Sequence, residues 1–195
     1  CALPIFTGHT MFLTLGVKSG TISHGQMWAI LPQTWLGNLV GSVFVALLYS
    51  WGGGSLLPVD TSIVHSVALA KTTAPATVLF FKGALCNWLV CLAIWMAIRT
   101  EGAAKFLAIW WCLLAFIASG YEHSVANMTL FALSWFGHHS EAYTLSGIGH
   151  NLLWVTLGNT LSGVVFMGLG YWYATPKSER PAPAKINQPE ATANN

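Results

Sequence analysis

The sequence predicts an all-α polytopic membrane protein in which at least one span is broken. Three observations carry this: a composition 54% hydrophobic and only 7% charged, apolar runs too long for a soluble helix, and a polar cluster, residues 120 to 127 (GYEHSVAN), in the middle of one such run. Soluble domains carry about a quarter charged residues, so this chain has too little polar surface to face water on every side. Ten Trp and five Tyr, many near the ends of the runs, suit an interfacial aromatic belt and make membrane lipid the expected surroundings. A formal net charge of +2 gives no basic surplus that calls for nucleic acid. Cys1, Cys86, Cys91 and Cys112 lack the tight spacing of metal ligands, so neither zinc, disulfides nor a cofactor is expected.

A bilayer crossing takes roughly 20 apolar residues as helix. The run Phe6 to Val17 is too short for one and reads as half of a span whose other half lies upstream. The chain opens on CALPIF with no basic stretch before a hydrophobic one, so it does not read as a signal peptide and is expected to be a fragment. Gln26 to Trp51 is the first complete span, with Pro32 near its start, where a helix tolerates it, and Gly37 and Gly41 spaced for close packing. Residues 56–72 carry Asp60, His65 and Lys71 and read as an interfacial segment. Pro75 to Ile98 is the second span and contains Lys82. Phe106 to Phe136 exceeds one crossing and holds the polar cluster; Leu145 to Tyr173 is the last span. The membrane region is thus 6–173, and the polar, Pro- and Ala-rich residues 174–195 are expected to be a disordered tail. Lys18, Arg99, Lys105, Lys177, Arg180 and Lys185 fall on one side of this topology and Lys71 on the other, so the positive-inside rule places the C-terminus in the cytoplasm.

An internal repeat organises these spans. TWLGNLVGSVFVALLY (34–49) resembles VTLGNTLSGVVFMGLGY (155–171) with a one-residue offset after Gly-Asn, and GHTMFLTLG (8–16) echoes ANMTLFALSWFG (126–137). Three crossings separate the first pair, so the copies run in opposite directions. Inverted repeats whose broken helices meet near the midplane build a solute path; here the breaks fall at residues 6–9 and 120–127, with half-helices starting from Thr10 and Met128.

Glu122 and His123 lie between two apolar half-spans, where a lipid-exposed charge costs about 2.5–3.5 kcal/mol, so both are expected to face a cavity or a partner. A histidine there switches charge in the physiological range, and helix N-termini at breaks favour anions, so the expected solute is a small monovalent anion or its conjugate acid. Lys82 either snorkels to an interface or lines a vestibule that draws anions in; Asn87, a turn and a little further on, is a candidate for the same path. Asn38 and Asn159 hold equivalent places in the repeat, as pore lining or as hydrogen-bonding glue to the broken segments. Phe6, Leu13, Phe116 and Leu130 are apolar near the breaks and stand as constriction candidates or plain packing. His138, His139 and Glu141 lie in an external turn, where ordinary surface placement outweighs metal binding.

FTGHTM (6–11), KGALCNWLV (82–90), ASGYEHSVANM (118–128) and NLLWVTLGNTLSGVVFMGLGYWY (151–173) resemble the formate/nitrite transporter family, in particular its bacterial nitrite channels. The resemblance runs from Phe6 into the tail. It implies a symmetric homopentamer in the bacterial inner membrane, each protomer an aquaporin-like six-helix bundle with its own pore and its second and fifth helices broken. His123 then matches the central pore histidine, with Glu122 and Asn127 in its supporting loop. Lys82 matches a lysine that polarises the pore centre, Thr7 a threonine facing the histidine, and Phe6 and Phe116 constriction aromatics. Such proteins pass nitrite, formate and related monocarboxylates as channels or with protons, and are not enzymes. Residues 1–5 depart from the family pattern and read as foreign to it, and the first helix and half of the second are absent by this comparison. Two other readings stay open: a haem-binding membrane subunit of an oxidoreductase, which needs two histidines at matched depth, and an aquaporin-like neutral-solute channel, which needs no titratable centre.

Overall fold

The computed structural model describes residues 5–54, 63–137 and 139–180. In chain order the helices are α1 (Phe6–Lys18), α2 (His24–Trp51), α3 (Ile63–Thr72), α4 (Ala76–Ala97), α5 (Gly102–Ala118), α6 (Ser124–Phe136) and α7 (Leu145–Leu161). The last helix continues without a break through a π-helical stretch, Ser162–Leu169, into α8 (Gly170–Ala174). The protein is an all-α polytopic membrane bundle. Three of its helical stretches, His24–Trp51, Ala76–Ala97 and Leu145–Ala174, are long and apolar enough to cross a bilayer, and α5 and α6 are shorter apolar helices. Its outer faces carry exposed Trp28, Val40, Phe44, Phe106, Trp110 and Trp111, as a lipid-facing surface requires. The expected tail from residue 181 onward and the expected foreign start, residues 1–4, lie outside the described residues.

Local sequence explains most helix ends. Ser23 and Gln26 form a reciprocal capping box that starts α2, Thr144 caps α7 through the Gly147 N–H, and Gly120, at φ +61°, makes the left-handed turn after α5 that a residue with a Cβ adopts only at a cost. Pro32 sits well inside α2, not near its start as the sequence reading had it. The helix runs on through it, as membrane helices do when neighbours re-satisfy the freed carbonyl.

α4 and α7 pack backbone to backbone. A Cβ on Gly158 would meet the Phe80 carbonyl, and one on Gly83 would stand 2.8 Å from the Val155 carbonyl. Both positions therefore admit only glycine without moving a helix. Gly158→Ala is expected to destabilise the bundle by about 1–3 kcal/mol through overpacking, seen as a lower thermal unfolding midpoint in detergent. An unchanged midpoint would mean that the two helices separate freely. Gly37, the repeat equivalent of Gly158, and Gly41, that of Gly163, behave differently: their Cβ positions face open space. The packing expected there is not made by any described residue.

The one-residue offset in the repeat has a structural counterpart. α2 is α-helical throughout, whereas its copy turns π-helical directly after Asn159-Thr160-Leu161. A π turn closes i to i+5 and so absorbs one extra residue. Asn159 and Gly163 thereby both face the core, where a Cβ on Gly163 would collide with Thr10 Oγ1 and stand 2.7 Å from Asn87 Nδ2.

Candidate functional site

α1 and α6 are half-helices of 13 residues each, and their N-termini meet. Both begin four residues earlier than the sequence suggested, at Phe6 and Ser124, so FTGH is the first turn of α1 and the true break between α5 and α6 is Ser119 to His123. The repeat asparagines serve these ends symmetrically. Asn38 Oδ1 accepts the Phe6 N–H at 2.9 Å, and Asn159 Oδ1 accepts the Ser124 N–H at 3.0 Å. Each satisfies a first-turn donor that a membrane-buried helix end cannot leave to water.

His123 is the N-cap of α6. Its Nδ1 accepts the Ala126 N–H at 3.2 Å, so the neutral ring carries its proton on Nε2. Nε2 lies 3.2 Å from Thr7 Oγ1 at the start of α1, which makes the Thr7 hydroxyl the acceptor in that tautomer. Phe116 stacks on the imidazole with ring centroids 5.8 Å apart. Two helix N-termini, each bearing roughly half a positive charge, thus converge on one histidine whose outward face is covered by an aromatic ring.

A buried polar network supports the break. Glu122 is 4% exposed; its Oε1 pairs with Lys71 Nζ at 2.8 Å and its Oε2 accepts from Asn127 Nδ2 at 2.6 Å. Asn127 Nδ2 also reaches Asn151 Oδ1 at 2.9 Å, and Asn151 Nδ2 donates to the Lys71 carbonyl at 2.9 Å. Asn159 Nδ2 donates to the Gly83 carbonyl at 2.8 Å and to the Glu122 carbonyl at 3.1 Å, so its amide ties α4, the break and α6 together. Asn87, fully buried, donates to the Thr7 carbonyl at 3.2 Å, to Thr10 Oγ1 at 3.2 Å and to the Asn159 carbonyl at 2.6 Å. It ties α1 to α7 from within the bundle.

The remaining candidates separate by location. Phe6 packs with Met27 and Leu31 of α2, with Leu13 against them, and Leu130 lies against the cluster around Met128 and Phe131. His139 stacks on Trp135 at 5.0 Å, beside Tyr143, and Glu141 is exposed; His138 lies outside the described residues. Tyr143 donates to the Phe131 carbonyl at 2.9 Å, and burial raises its phenol above the ordinary value, which keeps it a donor. At the opposite end, Arg99 lies over Trp95 at 3.4 Å, Lys18 donates to the Tyr173 hydroxyl at 3.1 Å and Arg180 lies over Trp172. This basic, aromatic rim gathers the ends of α1, α4 and α8.

The profile of the family described as "Formate/nitrite transporter" matches residues 1–173 of the chain. The chain belongs to that family. It is 97% identical over 191 residues to the "Nitrite transporter NirC" of Salmonella typhimurium strain LT2, a match covering 98% of this chain and 71% of that one. Among solved structures it is similar to an "FNT family ion channel" (97% identity, TM-score 0.87, 88% of this chain and 69% of that one). It is also similar to a "Pentameric formate channel with formate bound" (26% identity, TM-score 0.64, 86% of this chain and 81% of that one).

The formate/nitrite transporter resemblance had paired Thr7 with His123 and had set Glu122 and Asn127 in one supporting loop; the geometry brings all four together. Lys71 was missed. Read as an external charge on an interfacial segment, it instead extends from the end of α3 to Glu122, while Lys82 contributes its main-chain carbonyl, 3.4 Å from the Glu122 N–H. α3 itself is no surface segment, since His65, Ala68 and Thr72 are buried against the bundle. The available signal was electrostatic: a carboxylate inside a span demands a cation, and Lys71 and Lys82 were the two within reach of the core. Asn151 was missed as well. An asparagine nearly two turns into an apolar span was the signal.

Proposed function

We propose that the protein conducts nitrite, with formate and related small monovalent anions as further substrates, across the bacterial inner membrane. It does so as a channel or together with protons, with His123 at the centre of the path. The observation that carries this reading is the meeting of two half-helix N-termini at His123, bridged by Thr7. Partial positive charge from both ends attracts an anion without a fixed cation that would trap it. With its oxygen accepting the His123 Nε2–H, the Thr7 hydroxyl offers its own proton to an oxyanion, and the ring can hand a proton to the anion and take it back. Phe116 on the imidazole, with Phe6 on the α1 side, serves as the apolar constriction that strips hydration water, and Lys82 draws anions toward the mouth. Membership of a transporter family leaves the haem-subunit and neutral-solute readings without a supporting observation.

The full-length protomer on this reading is an aquaporin-like inverted-repeat bundle. Its first helix and first half-helix precede the chain, which spans about 71% of its Salmonella relative. A groove of about 660 Å³ on α2, lined by Gln33, Gly37, Asn38, Gly41, Ser42 and Thr129, receives that upstream segment as Gly83 and Gly158 receive each other. Protomers assemble as a homopentamer through the apolar outer faces. The basic rim, and with it the C-terminus, faces the cytoplasm.

The test is pH-dependent nitrite and formate uptake into proteoliposomes holding the full-length protein, comparing native, His123→Ala and His123→Asn, the last keeping an N-cap side chain for α6. Saturable nitrite uptake whose pH profile flattens in both variants is the expected outcome. Uptake no faster than into empty liposomes would remove the substrate assignment; unchanged profiles in both variants would remove His123 from the proton step.

A further inference from the structure

α3 delivers Lys71 to Glu122, and over its ten described residues it is shorter than the 12–15 that an isolated helix needs to hold itself together. Its place must come from what it touches. Near its start, His65 is 7% exposed and its Nδ1 lies 3.0 Å from the Oγ of Ser134, a fully buried residue of α6. In its middle, Ala68 is sealed among Met128, Phe131, Tyr143 and Leu152. Beyond its end, Asn151 holds the Lys71 carbonyl and His150 Nε2 lies 3.1 Å from the Ala74 carbonyl.

These contacts share one register. Lys71 follows His65 by about 9 Å of helix, and Ser134 follows Asn127 by about 10 Å, at 1.5 Å per residue. Antiparallel packing of α3 on α6 that joins His65 to Ser134 therefore sets Lys71 beside Asn127 and the Glu122 carboxylate it binds.

We infer that His65 is a positioning residue for conduction: its hydrogen bond to Ser134 fixes α3 in the register that delivers the Lys71 ammonium to Glu122. This rests on the proposed nitrite path through His123, because the Lys71–Glu122 pair holds the break that carries His123. Truncation of His65 removes the one side-chain hydrogen bond described between the first half of α3 and α6 and leaves the register to the Ala68 packing and the contacts of the Lys71 and Ala74 carbonyls. Slippage would withdraw the ammonium, and Glu122 would lose its partner without any change in the pair itself.

The experiment uses the full-length protein in nitrite-uptake proteoliposomes, with His65→Ala, His65→Asn and Ser134→Ala, each alone and combined with Lys71→Gln. His65→Ala and Ser134→Ala are expected to slow uptake about fivefold, the net contribution of one buried hydrogen bond. His65→Asn, whose amide stands where Nδ1 stood, is expected to restore uptake to within about twofold. Lys71→Gln, harmful by itself, is expected to slow uptake no further in the His65→Ala background. Native uptake in folded His65→Ala protein, or an equal loss on Lys71→Gln in both backgrounds, overturns the inference. Thermal unfolding of Lys71→Gln, Glu122→Gln and the double variant, with and without His65→Ala, separates the two readings. Uptake indifferent to Lys71→Gln in the native background sinks the conduction role of the pair. The positioning role is then decided by whether Lys71–Glu122 coupling disappears with His65 or persists and refutes it.

Discussion

Lys71→Met is expected to destabilise the protein by about 3–5 kcal/mol, because it leaves the Glu122 carboxylate buried and uncompensated. The acid is 4% exposed, so water cannot replace the ammonium 2.8 Å away, and the Asn127 donor at 2.6 Å, the one side-chain donor to it besides Lys71 among the described residues, does not neutralise a full charge. The double variant Lys71→Met, Glu122→Gln is expected to recover most of the loss and to lie within about 1 kcal/mol of native stability, since a buried pair replaced by neutral groups is often neutral overall. The amide that replaces the carboxylate still presents a carbonyl to Asn127. Chemical or thermal unfolding in detergent, with expression level as a second readout, distinguishes the cases. A single variant no less stable than the double would show that Glu122 finds another partner and that the pair does not govern folding.

Asn159→Ala is the second large effect. The amide oxygen accepts the Ser124 N–H and the amide nitrogen donates to the carbonyls of Gly83 and Glu122, so truncation orphans the Ser124 donor and the Glu122 acceptor in a fully buried place and strips the α4 carbonyl of Gly83 of its second partner. At about 1–3 kcal/mol for each group left unpaired, the loss is expected to reach about 3 kcal/mol or more even after partial relaxation. Asn38→Ala is the internal control. Its residue is half-buried and lines a groove that is open in the 195-residue chain, so in that chain water can take over the Phe6 N–H, and the expected cost is about 1 kcal/mol, that of an ordinary cap. Unfolding midpoints of the two variants side by side test the asymmetry. Equal losses would mean that the two breaks are equally sealed from water.

The contrast between these residues shows what was readable in advance. Asn38 and Asn159 were legible because a repeat displays equivalence directly in the order of residues, and the equivalence proved to be two matching hydrogen bonds to two half-helix ends. The offset between the copies was legible too, though its meaning as a π-helical stretch was not, since one extra residue can equally make a loop or a kink. The polar break around His123 announced itself because charge and glycine amid apolar residues have few places to go in a bilayer. Its limits were misjudged by four residues on each half-helix: Ser124 to Asn127 and Phe6 to His9 look polar enough for loops, and only their caps show them to be helical.

Lys71 and Asn151 were not legible. Residues 56–72, with Asp60, His65 and Lys71, read as interfacial on local grounds, and nothing in their neighbourhood reveals that α6 and α7 bury α3. Pro32 was misplaced for a related reason: a proline argues for a helix start, whereas the surrounding bundle lets α2 begin at His24 and run on.

By itself, then, the sequence determined that the chain crosses a membrane several times, where it crosses, which span is broken, and that a histidine sits at the break. Each of these follows from the cost of placing polar groups in hydrocarbon, which acts on every residue according to its own chemistry and its near neighbours. Only the tertiary structure decided which cation meets Glu122, which face of α2 stays open and how deeply α3 is buried. Those outcomes depend on the register between helices far apart in the chain, and register is set by the summed fit of Ala68, Gly83, Gly158 and their partners, which no local pattern records.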